Sequence, residues 1–109
     1  MTNVVKDLDT LMAAIEKGFA FTPEKYPAMA RCSTDREARL FAIDHILKHL
    51  QKNLGAIAAQ SEAADHGGPV DVEAFKTASG KIIINTFNLA RILGLTPERL
   101  IARALAEFH

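Results

Sequence analysis

Apolar residues recur at intervals of three and four along most of the chain, the spacing that lines one face of an α-helix. The first series is Val4, Leu8, Leu11, Met12, Ile15 and Phe19. Asn3 is a candidate N-cap and Gly18 a candidate stop, so a helix is expected over about residues 3–18. Prolines at 23 and 27 forbid a continuous helix in the segment that follows. With Phe21 and Tyr26 reading as exposed aromatics, that segment is expected to be a loop or an extended arm.

Thr34-Asp35-Arg36-Glu37 has the form of a capping box, in which Thr34 and Glu37 each satisfy the other's backbone N–H. Ile43, Ile46, Leu47, Leu50, Leu54 and Ile57 then form one stripe, and nothing breaks the pattern before Gly67-Gly68-Pro69. The predicted helix, about residues 34–63, is on the order of 45 Å long. Such a helix either kinks, with Gly55 as the weak point, or reaches beyond its own subunit.

Asp71 caps a third predicted helix over about residues 72–93, with a main stripe of Phe75, Ala78, Ile82, Leu89 and Leu93. Ile83, Phe87 and Ala90 widen its apolar surface beyond the usual arc of roughly 100°. The β-branched run Ile82-Ile83-Ile84 admits a short strand as an alternative, but helical spacing continues on both sides. Gly94 stands where a C′ glycine belongs. Thr96-Pro97 supplies an N-cap and an N1 proline for a last helix over about residues 97–108, with Leu100, Ile101, Ala104, Leu105 and Phe108 on one face. The expectation is an all-α, four-helix bundle in a single domain, residues 1–109. Residues 1–33 form an N-terminal helix and arm, and residues 34–109 the core.

Length and composition agree with that picture. At 109 residues and 49% hydrophobic content the chain suits one folded domain. Thirteen basic residues balance thirteen acidic ones, which gives no electrostatic reason to expect nucleic acid or an anionic membrane as partner. A helix-turn-helix reading of Leu93–Pro97 suffers likewise, since the last helix offers only Arg99 and Arg103 as outward cations. A single cysteine, Cys32, excludes an internal disulfide and a cysteine-based zinc cage. No apolar stretch approaches the roughly 20 residues that cross a bilayer, and an acid at position 7 comes too early for a signal peptide. A cytoplasmic protein is expected.

Candidate chemistry gathers on two helices. His45 and His49 are one turn apart, a spacing that can hold a metal with Asp44 adjacent, but Lys48 and Lys52 share their face and oppose a cation. That face lies nearly opposite the apolar stripe and is expected to be solvated. Ser79-Gly80-Lys81 superficially resembles a phosphate-binding loop, yet Phe75 and Ile82 stand where the motif needs a glycine and a hydroxyl. Asn85 and Asn88 lie on the more polar side of the third helix, suited to solvation, to an inter-helix hydrogen bond or to reading a base or ribose. Cys32 precedes a helix N-terminus and reads as a bystander thiol. No Asp or Glu occurs between His45 and Ser61, nor between Ala74 and Pro97, so the middle turns of both core helices lack the oxygen ligands that Mg²⁺ demands.

From about Arg36 to Glu107 the chain resembles the MazG-like, all-α nucleoside triphosphate pyrophosphohydrolases. The resembling stretches are Ile43–Lys52 and, more specifically, Asn88–Leu100. The resemblance implies a long helix, a turn, a second core helix and a short last helix, associated as dimers or tetramers. It also implies Mg²⁺ held by Glu-x-x-Glu on one core helix and Glu-x-x-Asp on the next. Here those acidic positions fall near His49 and Lys52, and near Ala78 and Lys81. The metal-chelating set is missing, and without Mg²⁺ nothing evident generates hydroxide.

The resulting expectation is a non-catalytic member of that fold, needing no cofactor and holding no metal. It would be a homodimer with Ile83 and Phe87 at the interface, binding a nucleotide, a phosphate or a partner protein. His45, Lys48, His49, Lys52, Lys81, Asn85 and Asn88 are the candidate ligand-binding residues. The competing expectation is an active Mg²⁺-dependent pyrophosphohydrolase whose acids come from helix ends or from a second subunit: Asp35, Glu37, Asp44, Glu62, Asp65 and Glu73.

Overall fold

A computed structural model describes residues 4–109, and within them the chain is all-helical, with no strand. Four α-helices follow in order: α1 (Val4–Gly18), α2 (Asp35–Asp65), α3 (Val72–Ile92) and α4 (Pro97–Ala106). The expected Asn3 cap lies outside the described residues. The run Ile82-Ile83-Ile84 is helical, inside α3.

Local chemistry explains each boundary. Thr34 Oγ1 accepts from the Glu37 N–H at 3.1 Å, as a capping box requires. The return bond differs from the expected one: the Glu37 carboxylate accepts from the N–H and the hydroxyl of Ser33, one residue before the cap. Asp71 and Thr96 cap α3 and α4 by accepting from the N–H groups of Ala74 and Arg99. α2 and α3 both end on a glycine at positive φ, Gly67 at 79° and Gly94 at 78°. Each glycine is followed by the long return bond of a Schellman motif, Gly68 N–H to Ala63 O and Leu95 N–H to Ala90 O, both 2.8 Å. A side chain at Gly67 or Gly94 would be strained in that left-handed conformation.

α2 is an uninterrupted 31-residue helix, about 46 Å long. It folds back on α3 through the turn at 66–71, where the Gln60 side chain accepts from the Asp71 N–H at 2.9 Å. α3 also packs on α1 and α4, which touch each other, whereas the extensive helical partner of α2 is α3. The segment between α1 and α2 is not an extended arm. It makes a turn at 23–25 and a short 3-10 helix, Pro27–Arg31, with Met29 buried. Phe21 and Tyr26 are half-buried rather than exposed, because their rings stack on each other, 5.0 Å apart, and pack against α2.

The core is thin. Its buried apolar side chains are Ile15, Met29, Ala42, Ile46, Ala78, Phe87 and Ala90. On α2 the buried line runs Ala42–Ile46–Asn53, while Ile43, Leu50 and Ile57 are half-buried and Leu47 and Leu54 are exposed. The helix is therefore turned relative to its expected core stripe. Its apolar arc spans roughly 160°, more than one neighbouring helix covers, and α3 lies along one edge of it. The pairing of Ile83 and Phe87 also changes. Ile83 is 51% exposed, but Phe87 is 7% exposed and belongs to the core of the single chain, so it is not available as an interface residue.

Phe87→Ala is accordingly expected to lower unfolding stability by about 3–5 kcal/mol, since it empties a buried ring site. Leu105→Ala, at a mostly exposed position on α4, should cost less than about 1 kcal/mol. Urea titration followed by circular dichroism measures both.

Candidate anion-binding cleft

Two rows of side chains face a common cleft, and both have the i, i+4, i+7 spacing that aligns residues on one helix face. From α2 come His45, His49 and Lys52; from α3 come Lys81, Asn85 and Asn88. Six of the seven residues singled out from the sequence thus meet at one place. The seventh, Lys48, does not, and is held on the solvent side by Asp44 at 2.9 Å. On the face of α2 carrying the histidines, Lys48, His49 and Lys52 are exposed as expected, whereas His45 is half-buried. α3 packs on the Ala42–Ile46–Asn53 line, and that placement turns the neighbouring histidine row toward the cleft and the 19–26 segment.

Phe19, Phe21 and Tyr26 form an aromatic wall, and Ile46, Ile84 and Asn53 complete the lining. The 19–26 segment is pinned by Lys25, whose ammonium reaches the Gly18 carbonyl and lies over the rings of Phe19 and Tyr26. The cleft encloses about 180 Å³, below the roughly 300–1,000 Å³ of sites that engulf a drug-sized ligand. It has room for one ring or a phosphate group. An adjoining groove shares Asn53 and Lys81 with it and continues toward the hairpin past Ala56, Thr77, Asp71 and Glu73.

The asparagines present defined hydrogen-bonding ends. A carbonyl oxygen can only accept, so the bonds to the backbone oxygens of His49 and Lys81 fix the amide nitrogens of Asn53 and Asn85, each at 2.8 Å. Their Oδ1 atoms remain as acceptors. Asn88 is reversed, because the Arg91 guanidinium can only donate and takes Oδ1 with two bonds, at 3.1 and 2.8 Å. Asn88 is 3% exposed, lines the cleft, and keeps its amide N–H groups for an acceptor.

Charge in the cleft is one-sided. No carboxylate lines it. Among the described residues the ion pairs are Lys48–Asp44 and Lys76–Glu73, so Lys52 and Lys81 have no carboxylate partner. The two histidines share a contact between their Nε2 atoms at 3.1 Å, which requires one of those nitrogens to be unprotonated. His45 is ringed by Phe21, Tyr26 and Phe41, with centroid distances from 4.7 to 6.0 Å. Burial holds its imidazole below the usual histidine pKa, with further lowering from His49 and Lys48 and an opposing pull from Asp44. Such a donor set suits an anion and does not fit a divalent cation. Nowhere among the described residues do three His, Cys, Asp or Glu side chains gather as a metal-binding group.

The helix-end acids lie apart from the cleft or are engaged. Glu37 serves the cap of α2, Asp44 pairs with Lys48, and Glu73 pairs with Lys76 at 3.1 Å. Asp35, Glu62 and Asp65 are exposed at the two ends of α2. Ser79-Gly80-Lys81 is mid-helix, not a loop, and Cys32 is half-buried beyond the 3-10 helix. Sequence reasoning missed the aromatic wall and Asn53. The isolated Asn53 within an apolar arc was the available signal, while the wall depends on how the 19–26 segment folds back. Among the described residues no helix is long and apolar enough to cross a membrane. Comparison with family models, with curated proteins and with solved structures finds no match for this chain.

The His45 shift carries a pH dependence. A histidine whose pKa is depressed by folding is neutral in the native state while the unfolded chain already takes up a proton, so stability falls as pH drops below about 6.5. The wild-type melting temperature should therefore decline on acidification from pH 7.5 to pH 5. His45→Gln should flatten that slope. NMR titration of the His45 ring should give a midpoint below the usual histidine value.

Proposed function

We propose that this chain is a binding module for a phosphate-bearing ligand, held in the α2–α3 cleft, rather than a metal-dependent hydrolase. One observation carries the reading: Lys52 and Lys81, neither with a carboxylate partner among the described residues, line an acid-free cleft with an aromatic wall. Two ammonium groups on exposed lysines at one cleft attract a phosphate, and the amide N–H groups of Asn88, whose Oδ1 is taken by Arg91, supply directional hydrogen bonds. The lysines lie toward the hairpin and the aromatic rings toward the start of α2. A ligand with a phosphate at one end and a planar ring at the other, such as a nucleotide, matches that polarity. Given the volume of the cleft, the ring or the phosphate is enclosed and the remainder of such a ligand lies outside it.

The order of helices, a long one, a turn, a second core helix and a short last one, is what a MazG-like bundle would have, and we extend the resemblance to that degree. The positions at which that family would place its acids carry His49, Lys52, Ala78 and Lys81. His49, Lys52 and Lys81 line the cleft. These residues do not fit Mg²⁺, and no hydrolytic step is assigned to them. In this reading the cationic side chains neutralise phosphate directly, where the family's acids would do so through a metal.

Isothermal calorimetry and thermal shift with inorganic phosphate and with nucleoside mono- and triphosphates test the reading. Binding is expected to persist in EDTA. Lys52→Ala and Lys81→Ala should each weaken it about tenfold, the effect of losing one charge-assisted contact worth about 1.5 kcal/mol. Absence of binding by every phosphate compound, or release of pyrophosphate from triphosphates with Mg²⁺ or Mn²⁺ at an enzymatic rate, overturns it.

A further inference from the structure

A second concavity lies between the start of α2 and the end of α3, away from the hairpin that joins them, and encloses about 230 Å³. Ala38 and Ala42, one turn apart on α2, offer only methyl groups to it. Phe21, Met29 and Ile92 supply the rest of an apolar wall, in which Met29 and Ala42 are buried.

Two charged residues complete the lining, Arg39 from α2 and Arg91 from α3, and no carboxylate joins them. Neither guanidinium has an ion-pair partner among the described residues. Asp35, one turn before Arg39, does not reach it, and the pairs formed are Lys48–Asp44 and Lys76–Glu73. Arg91 is already set in place. Its Nε and one Nη donate to Asn88 Oδ1 at 3.1 and 2.8 Å, and Asn88 is buried, so a fixed group holds the guanidinium. The guanidinium carries more N–H donors than those two bonds use, and the rest serve a further acceptor.

We propose that this pocket binds a small organic carboxylate with a short hydrocarbon body. The planar carboxylate matches the forked donors of Arg39 and Arg91, and the hydrocarbon covers Met29, Phe21 and the two alanines. Inorganic phosphate satisfies the arginines but has nothing to lay on the apolar wall. The volume is below the roughly 300–1,000 Å³ of sites for drug-sized ligands, so the body is a few carbons long or a single ring. The pocket stands back to back with the α2–α3 cleft: Asn88 gives its Oδ1 to Arg91 and lines the cleft as well, and Phe21 lines both. Its own lining carries the proposal, whatever the cleft binds.

Isovalerate is the probe, read by NMR at the Met29 methyl and the Arg91 Nε–H in a buffer free of phosphate and other carboxylates. Both signals should shift saturably at millimolar isovalerate. Isovaleramide, the uncharged isostere, should shift neither, and acetate should bind more weakly for want of the hydrocarbon. Arg39→Gln should weaken isovalerate about tenfold, the effect of losing one charge-assisted contact. Arg103→Gln, which removes an exposed arginine of α4 outside the pocket, should leave binding unchanged. Arg91→Gln would also release Asn88, so the exposed Arg39 carries the test. No saturable shift with isovalerate, an equal response to isovaleramide, or undiminished binding to folded Arg39→Gln overturns the proposal. So does acetate or inorganic phosphate binding there as tightly as isovalerate.

Discussion

The line along which α3 packs on α2, through Ala42, Ile46 and Asn53, decides the role of every other face of the long helix. A helix 31 residues long with one extensive helical neighbour must show most of its circumference elsewhere. α3 sits at one edge of the apolar arc of α2 rather than at its centre. One consequence is the histidine row, turned toward α3 and the 19–26 segment. Another is the row of leucines left on the far edge. Cleft and leucine row are two results of a single rotational choice.

The cleft shows how a site can form without burying a charge deeply. Its lysines stay largely in water, where their stems cover apolar surface and their heads need no fixed counter-ion. The polar groups that are buried, Asn53 and Asn88, each have a protein partner for one end of the amide and keep the other end on the cleft. Arg91 is central to this economy, because its guanidinium determines that Asn88 presents a donor. The aromatic wall restricts water beside His45, which is the physical source of the lowered pKa and of the preference for an unprotonated imidazole there.

Absence of carboxylates from the middle of both core helices shapes the chemistry as much as any residue present. With acids confined to the ends of these helices, Asp71 and Glu73 reaching only the groove beside the hairpin, the cleft at the middle turns of α2 and α3 is lined by donors and cations and by no carboxylate.

Helix number, order and ends were legible in the residues, because capping threonines, Asp71, Pro97 and the two αL glycines act within a few positions of themselves. Grouping of His45, His49 and Lys52, and of Lys81, Asn85 and Asn88, was legible for the same reason, since helical periodicity aligns each row before any packing occurs. That the two rows share one cleft was not. Nor was the half-burial of Phe21 and Tyr26, the burial of Phe87, or the exposure of Leu47 and Leu54. An apolar arc wider than one partner covers is compatible with several rotations of the helix. Local spacing is identical in all of them, and the contacts that select among them come from residues remote in the chain.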